Sequence, residues 1–167
     1  MKSNTQNGLR KKIRFALLIT IVGLVLSGLS AFPLQAELDF ALQFSHLMPT
    51  FLVDWFTEVK TAITETAEKY PLVLYGYDWL GFAHFLIAFA FIGPLRDPVK
   101  NQWVVEWGMI SSALTILMAF VAEPMRQIPF FWSLVDATIG AGAFLILWLC
   151  NHWINQLKRS SNRSFYS

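Results

Sequence analysis

Little in this sequence signals a soluble protein. Among 167 residues there is one cysteine, Cys150, and there are three histidines. A single thiol makes no internal disulfide, and one inside an apolar run reads as a small core residue. There is no His-Glu-x-x-His, no pair of cysteines and no dense histidine cluster, so neither a metal nor another cofactor is expected. No Gly-x-Ser-x-Gly elbow occurs, which disfavours a serine hydrolase. Charged residues make up 14% of the chain, where soluble domains carry about 25%. The net charge of +2 is too small, and the basic residues too dispersed, for a nucleic-acid partner. Internal repeats and low-complexity tracts are absent.

What is present is apolar. The chain is 55% hydrophobic, with 15 Phe and 7 Trp, and its mean hydropathy is +0.47. Four long apolar segments, residues 15–33, 77–93, 104–122 and 130–151, have the length a helix needs to cross hydrocarbon at a rise of about 1.5 Å per residue. Lipid offers no partner to bare peptide groups, so such segments span as helices. The expected fold is all-α: an integral membrane four-helix bundle with an additional outer amphipathic helix. Residues 1–14 form a basic cytoplasmic tail, 15–157 a single transmembrane domain, and 158–167 a second cytoplasmic tail. Residues 1–9 are polar and expected to be disordered.

Orientation follows from the cations. With the N-terminus inside, the cytoplasmic side receives Lys2, Arg10, Lys11, Lys12, Arg14, Arg96, Lys100, Lys158, Arg159 and Arg163, and the outer side Lys60, Lys69 and Arg126. That bias puts both termini in the cytoplasm. Trp103, Trp107, Trp148 and Trp153 mark the inner boundary, and Tyr75, Tyr77, Trp79 and Trp132 the outer one. The first segment also has a basic start and a Leu34-Gln35-Ala36 sequence that a signal peptidase would test, so it is either a retained helix or a cleaved signal. Retention is favoured, because Leu34 is a poor small residue and the run is long. Gly23, Ser27 and Ala31 form a small-residue stripe suited to close helix approach. Between Thr50 and Tyr70, Leu52, Phe56, Val59, Ile63 and Ala67 step by three and four, the period of an amphipathic helix on the outer surface.

Ionisable residues gather at the outer end of three spans. Asp78 opens the second, with His84 about 9 Å deeper by helical rise. Glu123 closes the third, Asp136 opens the fourth, and the short connection supplies Arg126 and Gln127. Charges inside a membrane cost roughly 2.5–3.5 kcal/mol at its centre. Asp78 and Asp136 also suit the positive ends of helix dipoles, Glu123 and Arg126 suit a local ion pair, and His84 suits a bond to a neighbouring helix. Glu106 is expected to snorkel or to pair with Lys100.

The run Asp78-Trp-Leu-Gly-Phe-Ala-His84-Phe, then Glu123-Pro-Met-Arg-Gln127, then Ser133-Leu-Val-Asp136 with Gly140 following, resembles the VanZ-like membrane proteins of bacteria. Membership of a separate bacterial family with the same four-helix plan is the alternative reading. The resemblance covers about residues 77–150 and implies a multi-pass protein of the bacterial inner membrane and cell envelope. On it, Asp78 and His84 match the acidic-then-histidine opening of the second span, Glu123 and Gln127 the motif closing the third, and Asp136 the aspartate opening the fourth. In this chain Gly140 stands where the family carries asparagine, and residues 37–70 are an added outer segment.

Two functions fit. One is a binder of a lipid, glycolipid or amphiphile head group, with Arg126 holding an anionic group and Asp78, His84, Glu123, Gln127 and Asp136 lining the site. The other is an enzyme on a lipid-linked envelope intermediate, with His84 as general acid or base. A subunit of a proton-coupled assembly is the least favoured, since four spans are few for a transporter unless the chain forms a homo-oligomer. The expected partners are membrane lipids.

Overall fold

The computed structural model describes the backbone of residues 2–165 and the side chains of residues 6–160. The fold is all-α, with no strand among the described residues. In chain order the elements are α1 (Lys2–Ser30), α2 (Leu34–Leu42), a 3-10 turn (Ser45–Leu47), α3 (Thr50–Lys69), α4 (Pro71–Ala90), α5 (Ile92–Arg96), α6 (Gln102–Met125) and α7 (Phe130–Phe165). Four stretches, Gln6–Ser30, Pro71–Arg96, Gln102–Met125 and Phe130–Ser160, are long and apolar enough to cross a membrane. Only 22–28% of each apolar window is buried by the protein itself. Side chains as large as Phe15, Leu72, Phe89 and Met125 stay more than two-thirds exposed. Water would not tolerate so much bare hydrocarbon, whereas acyl chains do. The chain is a multi-pass membrane protein.

Prolines set the boundaries. Pro33 and Pro49 precede α2 and α3 as their caps. Pro71 is the first residue of α4, where its missing N–H is not needed and its fixed φ suits a helix start. The same ring pushes Tyr70 out of the helical region (φ −138°, ψ 64°), and so ends α3. Several sequence boundaries need correction. Helix α1 starts at Lys2, so the tail expected to be disordered is helical from there. Helix α4 starts earlier than residue 77, and α7 runs past Asn151 to Phe165. The second span does not end at residue 93 but runs on to Arg96: Pro94 falls in the first turn of α5, where a missing donor is harmless. The stretch following Pro33 forms the helix α2.

Two compact units make up the chain: Met1–Val22 with Ala88–Ser167, and Gly23–Ile87. The first is built on an antiparallel hairpin of α6 and α7. Gly108 makes room for Phe91 and Leu147, since a Cβ there would meet Phe91 Cζ at 2.8 Å and Leu147 Cδ1 at 2.9 Å. Further along the hairpin, a Cβ on Gly140 would meet Ile116 Cγ1 at 2.9 Å and the Ser112 carbonyl oxygen at 3.1 Å. The first half of α1 runs antiparallel to the end of α7. Gln6 Nε2 donates to Ser160 Oγ at 3.3 Å, and the Lys12 ammonium lies 5.7 Å from the Trp153 ring centre. Ile13, Ala16, Leu17, Val105, Cys150, Ile154 and Leu157 are buried in this unit.

In the second unit the last turns of α1 pack on α4. A Cβ on Gly28 would stand 2.8 Å from the Gly81 carbonyl oxygen, and one on Gly81 would stand 2.9 Å from that of Gly28. Two glycines face each other, so the backbones approach closely. The stripe expected at Gly23, Ser27 and Ala31 is thus shifted: Gly23 has open space around it, and Gly28 with Ala31 makes the seam. Phe32 and Phe85 stack beside it, 6.1 Å apart and 11° from parallel. Helix α3 is amphipathic as its spacing requires, with Leu52, Phe56, Val59 and Ile63 half-buried and Asp54, Glu58, Glu65 and Glu68 exposed. It is tied to α2 by the ion pair of Lys60 with Asp39.

Candidate functional site

The turn between α6 and α7 brings two acidic side chains together. Helix α6 continues one residue past Pro124, then closes on its own carbonyls. Ile128 N–H donates to Glu123 O (3.1 Å), and Gln127 N–H donates to Pro124 O (3.1 Å). This is the Schellman pattern, and it requires a left-handed residue at the position after the cap. That residue is usually glycine; here it is Gln127, at φ 59°. The chain therefore reverses within residues 126–129, and Asp136 on the first turns of α7 comes back to the level of Glu123. Their carboxyl groups approach within hydrogen-bonding reach. A contact of that kind needs a proton, or a donor from elsewhere, between two groups that otherwise repel.

The polar atoms around this pair are not spent. Glu123 Oε2 is buried without a hydrogen-bond partner, and so is Ser133 Oγ. Ser133 is 0% exposed. Its state is unlike that of seven other helical hydroxyls. Thr20, Thr57, Thr61, Thr64, Ser112, Thr115 and Thr138 each donate to the carbonyl four residues back, at 2.7–3.1 Å. Leaving a buried polar group unmatched costs about 1–3 kcal/mol, so Glu123 Oε2 and Ser133 Oγ are two groups still open to a partner. Arg126 and the Gln127 side chain stand exposed on the turn. The ion pair expected between Glu123 and Arg126 does not form among the described residues.

The other two candidates belong to the second unit. His84 Nδ1 lies 2.9 Å from Leu80 O. A carbonyl only accepts, so Nδ1 carries the hydrogen, and in the neutral ring Nε2 is left with its lone pair. The partner of this histidine is thus its own helix. His84 lies at the seam, its Cβ 3.1 Å from where a Cβ on Gly28 would be. Asp78 is exposed and forms part of the wall of a groove of about 490 Å³, together with Phe32, Asp39, Ile63, Leu74 and Tyr77.

Sequence reasoning missed one polar centre altogether. Gln102 is only 8% exposed, and its Nε2 faces Glu106 Oε1 at 3.1 Å, Asn151 Oδ1 at 2.7 Å and Asn155 Oδ1 at 3.0 Å. Its Oε1 accepts from Lys158 Nζ at 2.6 Å. Glu106 therefore bonds to an amide one turn away, not to Lys100. The signal was available: positions 102 and 106, and 151, 155 and 158, recur at helical spacing and share a face. Ser133 was visible as a neighbour of Asp136, but its burial was not. Among the described residues no group of three His, Cys, Asp or Glu side chains is arranged to hold a metal. No family model, no curated protein and no solved structure matches this chain.

Proposed function

We propose that this chain is a VanZ-like protein of the bacterial inner membrane, with both termini cytoplasmic, that binds the head group of a lipid, glycolipid or other amphiphile at the α6–α7 turn. One observation carries the reading: Glu123 and Asp136 meet one turn from the buried Ser133, and Glu123 Oε2 and Ser133 Oγ have no hydrogen-bond partner. A ligand hydroxyl or amine gives Glu123 Oε2 a hydrogen and Ser133 Oγ a partner. Arg126 and Gln127, exposed on the same turn, offer cationic and amide donors to a phosphate or carboxylate of the same ligand. The positive-inside bias and the aromatic boundaries support the orientation, and the position of the turn at a helix end supports a head group over an acyl chain.

Native mass spectrometry of the purified full chain tests this. The expected result is a co-purified amphiphile that Asp136→Asn loses; retention of the same species in that variant removes the turn from consideration.

A second reading rests on the histidine. With Nδ1 held by Leu80 O, Nε2 of His84 is an oriented proton acceptor, which suits an enzyme acting on a lipid-linked envelope intermediate. His84→Asn separates the two. A binder keeps its ligand with modest loss, whereas an enzyme still binds a lipid-linked substrate but no longer turns it over.

A further inference from the structure

The groove in the second unit is a site of a different kind from the α6–α7 turn. Its wall is partly apolar, from Phe32, Leu74, Tyr77 and Ile63, and carries two carboxylates, Asp39 and Asp78. They are not equivalent. Asp39 is neutralised by Lys60 of α3, whereas Asp78 makes no hydrogen bond or ion pair among the described residues. One uncompensated negative charge therefore stands in an otherwise balanced, aromatic-lined groove. The groove also begins where the apolar stretch of α1 ends: its wall includes Ala31 to Ala36, directly after the stretch that closes at Ser30, the level at which a spanning helix meets head groups. At about 490 Å³ it falls within the roughly 300–1,000 Å³ of small-molecule sites.

We propose that this groove binds a membrane lipid whose head group ends in a primary ammonium, with the ammonium on Asp78 and the glycerol and first methylenes along Phe32, Leu74 and Tyr77. A primary ammonium donates hydrogens to a carboxylate; a trimethylammonium of equal charge does not. The groove therefore distinguishes ethanolamine from choline head groups. The Asp39–Lys60 pair sets the count of free charges: with Lys60 in place the groove takes one cation, and without it Asp39 becomes a second acceptor.

The test titrates the full-length protein in a neutral maltoside detergent with dioleoylphosphatidylethanolamine or dioleoylphosphatidylcholine, reading lipid adducts by native mass spectrometry. The ethanolamine lipid is expected to dominate. Asp78→Asn is expected to weaken it about tenfold, the scale of one charge-assisted hydrogen bond. Lys60→Gln is expected to strengthen it about two- to threefold, a gain that misfolding does not produce. Asp54→Asn, on the exposed face of α3, is expected to leave the selectivity unchanged. Asp136→Asn tests the α6–α7 turn through the co-purified species and Asp78→Asn tests the groove through the added ethanolamine lipid, so either site can fail alone. Equal binding of the choline lipid, an undiminished ethanolamine signal in Asp78→Asn, or no gain in Lys60→Gln overturns the proposal.

Discussion

At one end of the α6–α7 hairpin, Gln102 sits among Glu106, Asn151, Asn155 and Lys158 with both ends of its amide engaged. At the other end, Glu123 faces Asp136, and one buried oxygen of Glu123 and the hydroxyl of Ser133 have no hydrogen-bond partner. The two ends share helices, packing and burial, and differ in the balance of hydrogen-bond donors and acceptors. The first contains two amide hydrogens, three oxygens around them and an ammonium on the far side, so it closes on itself. The second contains acceptors and one hydroxyl. A closed network fixes the register of two helices; an open one is left for a ligand.

The largest expected effect comes from breaking both ends at once. Gly140→Leu forces a side chain into Ile116 and the Ser112 carbonyl. Overpacking of this kind costs about 1–3 kcal/mol or more, and is expected to lower the melting temperature in detergent and abolish ligand retention together. Gln102→Ala breaks only the closed end. It strips four polar groups of their partner, and a loss of about 2–3 kcal/mol is expected, while the amphiphile retained at the turn is unchanged.

Asp136→Asn acts at the open end in the opposite sense. Ligand affinity is expected to fall about tenfold, with thermal stability unchanged or raised because a repulsive contact is gone. Ser133→Ala is finer still. In delipidated protein it is expected to stabilise by up to about 1 kcal/mol, because a buried hydroxyl without a partner is removed; in the lipid-bound protein the same change weakens retention. A stability loss in both states would show that the hydroxyl has a structural partner. Gln127→Gly completes the series. Relieving a non-glycine residue at φ 59° is expected to raise stability by about 0.5–1 kcal/mol in the unfolding midpoint. Any accompanying drop in ligand retention measures the share of the Gln127 amide.

Much of this architecture was readable because it is local. The four apolar runs and the amphipathic stripe of α3 appear where their spacing puts them, and prolines stand at or near the helix ends. The errors are of two kinds. The second span was ended at residue 93, just before Pro94, but a proline stops a helix only outside its first turn, and that depends on where the preceding helix breaks. The small-residue stripe was placed on Gly23 instead of Gly28, because helical spacing identifies a face without saying which face has a neighbour. The candidate residues were found by their cost in a membrane, which is a property of the residue. The state of each was not found, because it depends on a partner many positions away.

The order of residues alone determined that this chain is helical, crosses a membrane several times, and carries few charges within its apolar stretches. Those properties follow from transfer free energies and backbone sterics, which act residue by residue. Tertiary structure decided that Gln102 is satisfied and Ser133 is not, that Glu123 meets Asp136 and not Arg126, and that Asp39 is neutralised while Asp78 stands free. Each of these is a matching of donors to acceptors between segments, set by the register in which the helices pack.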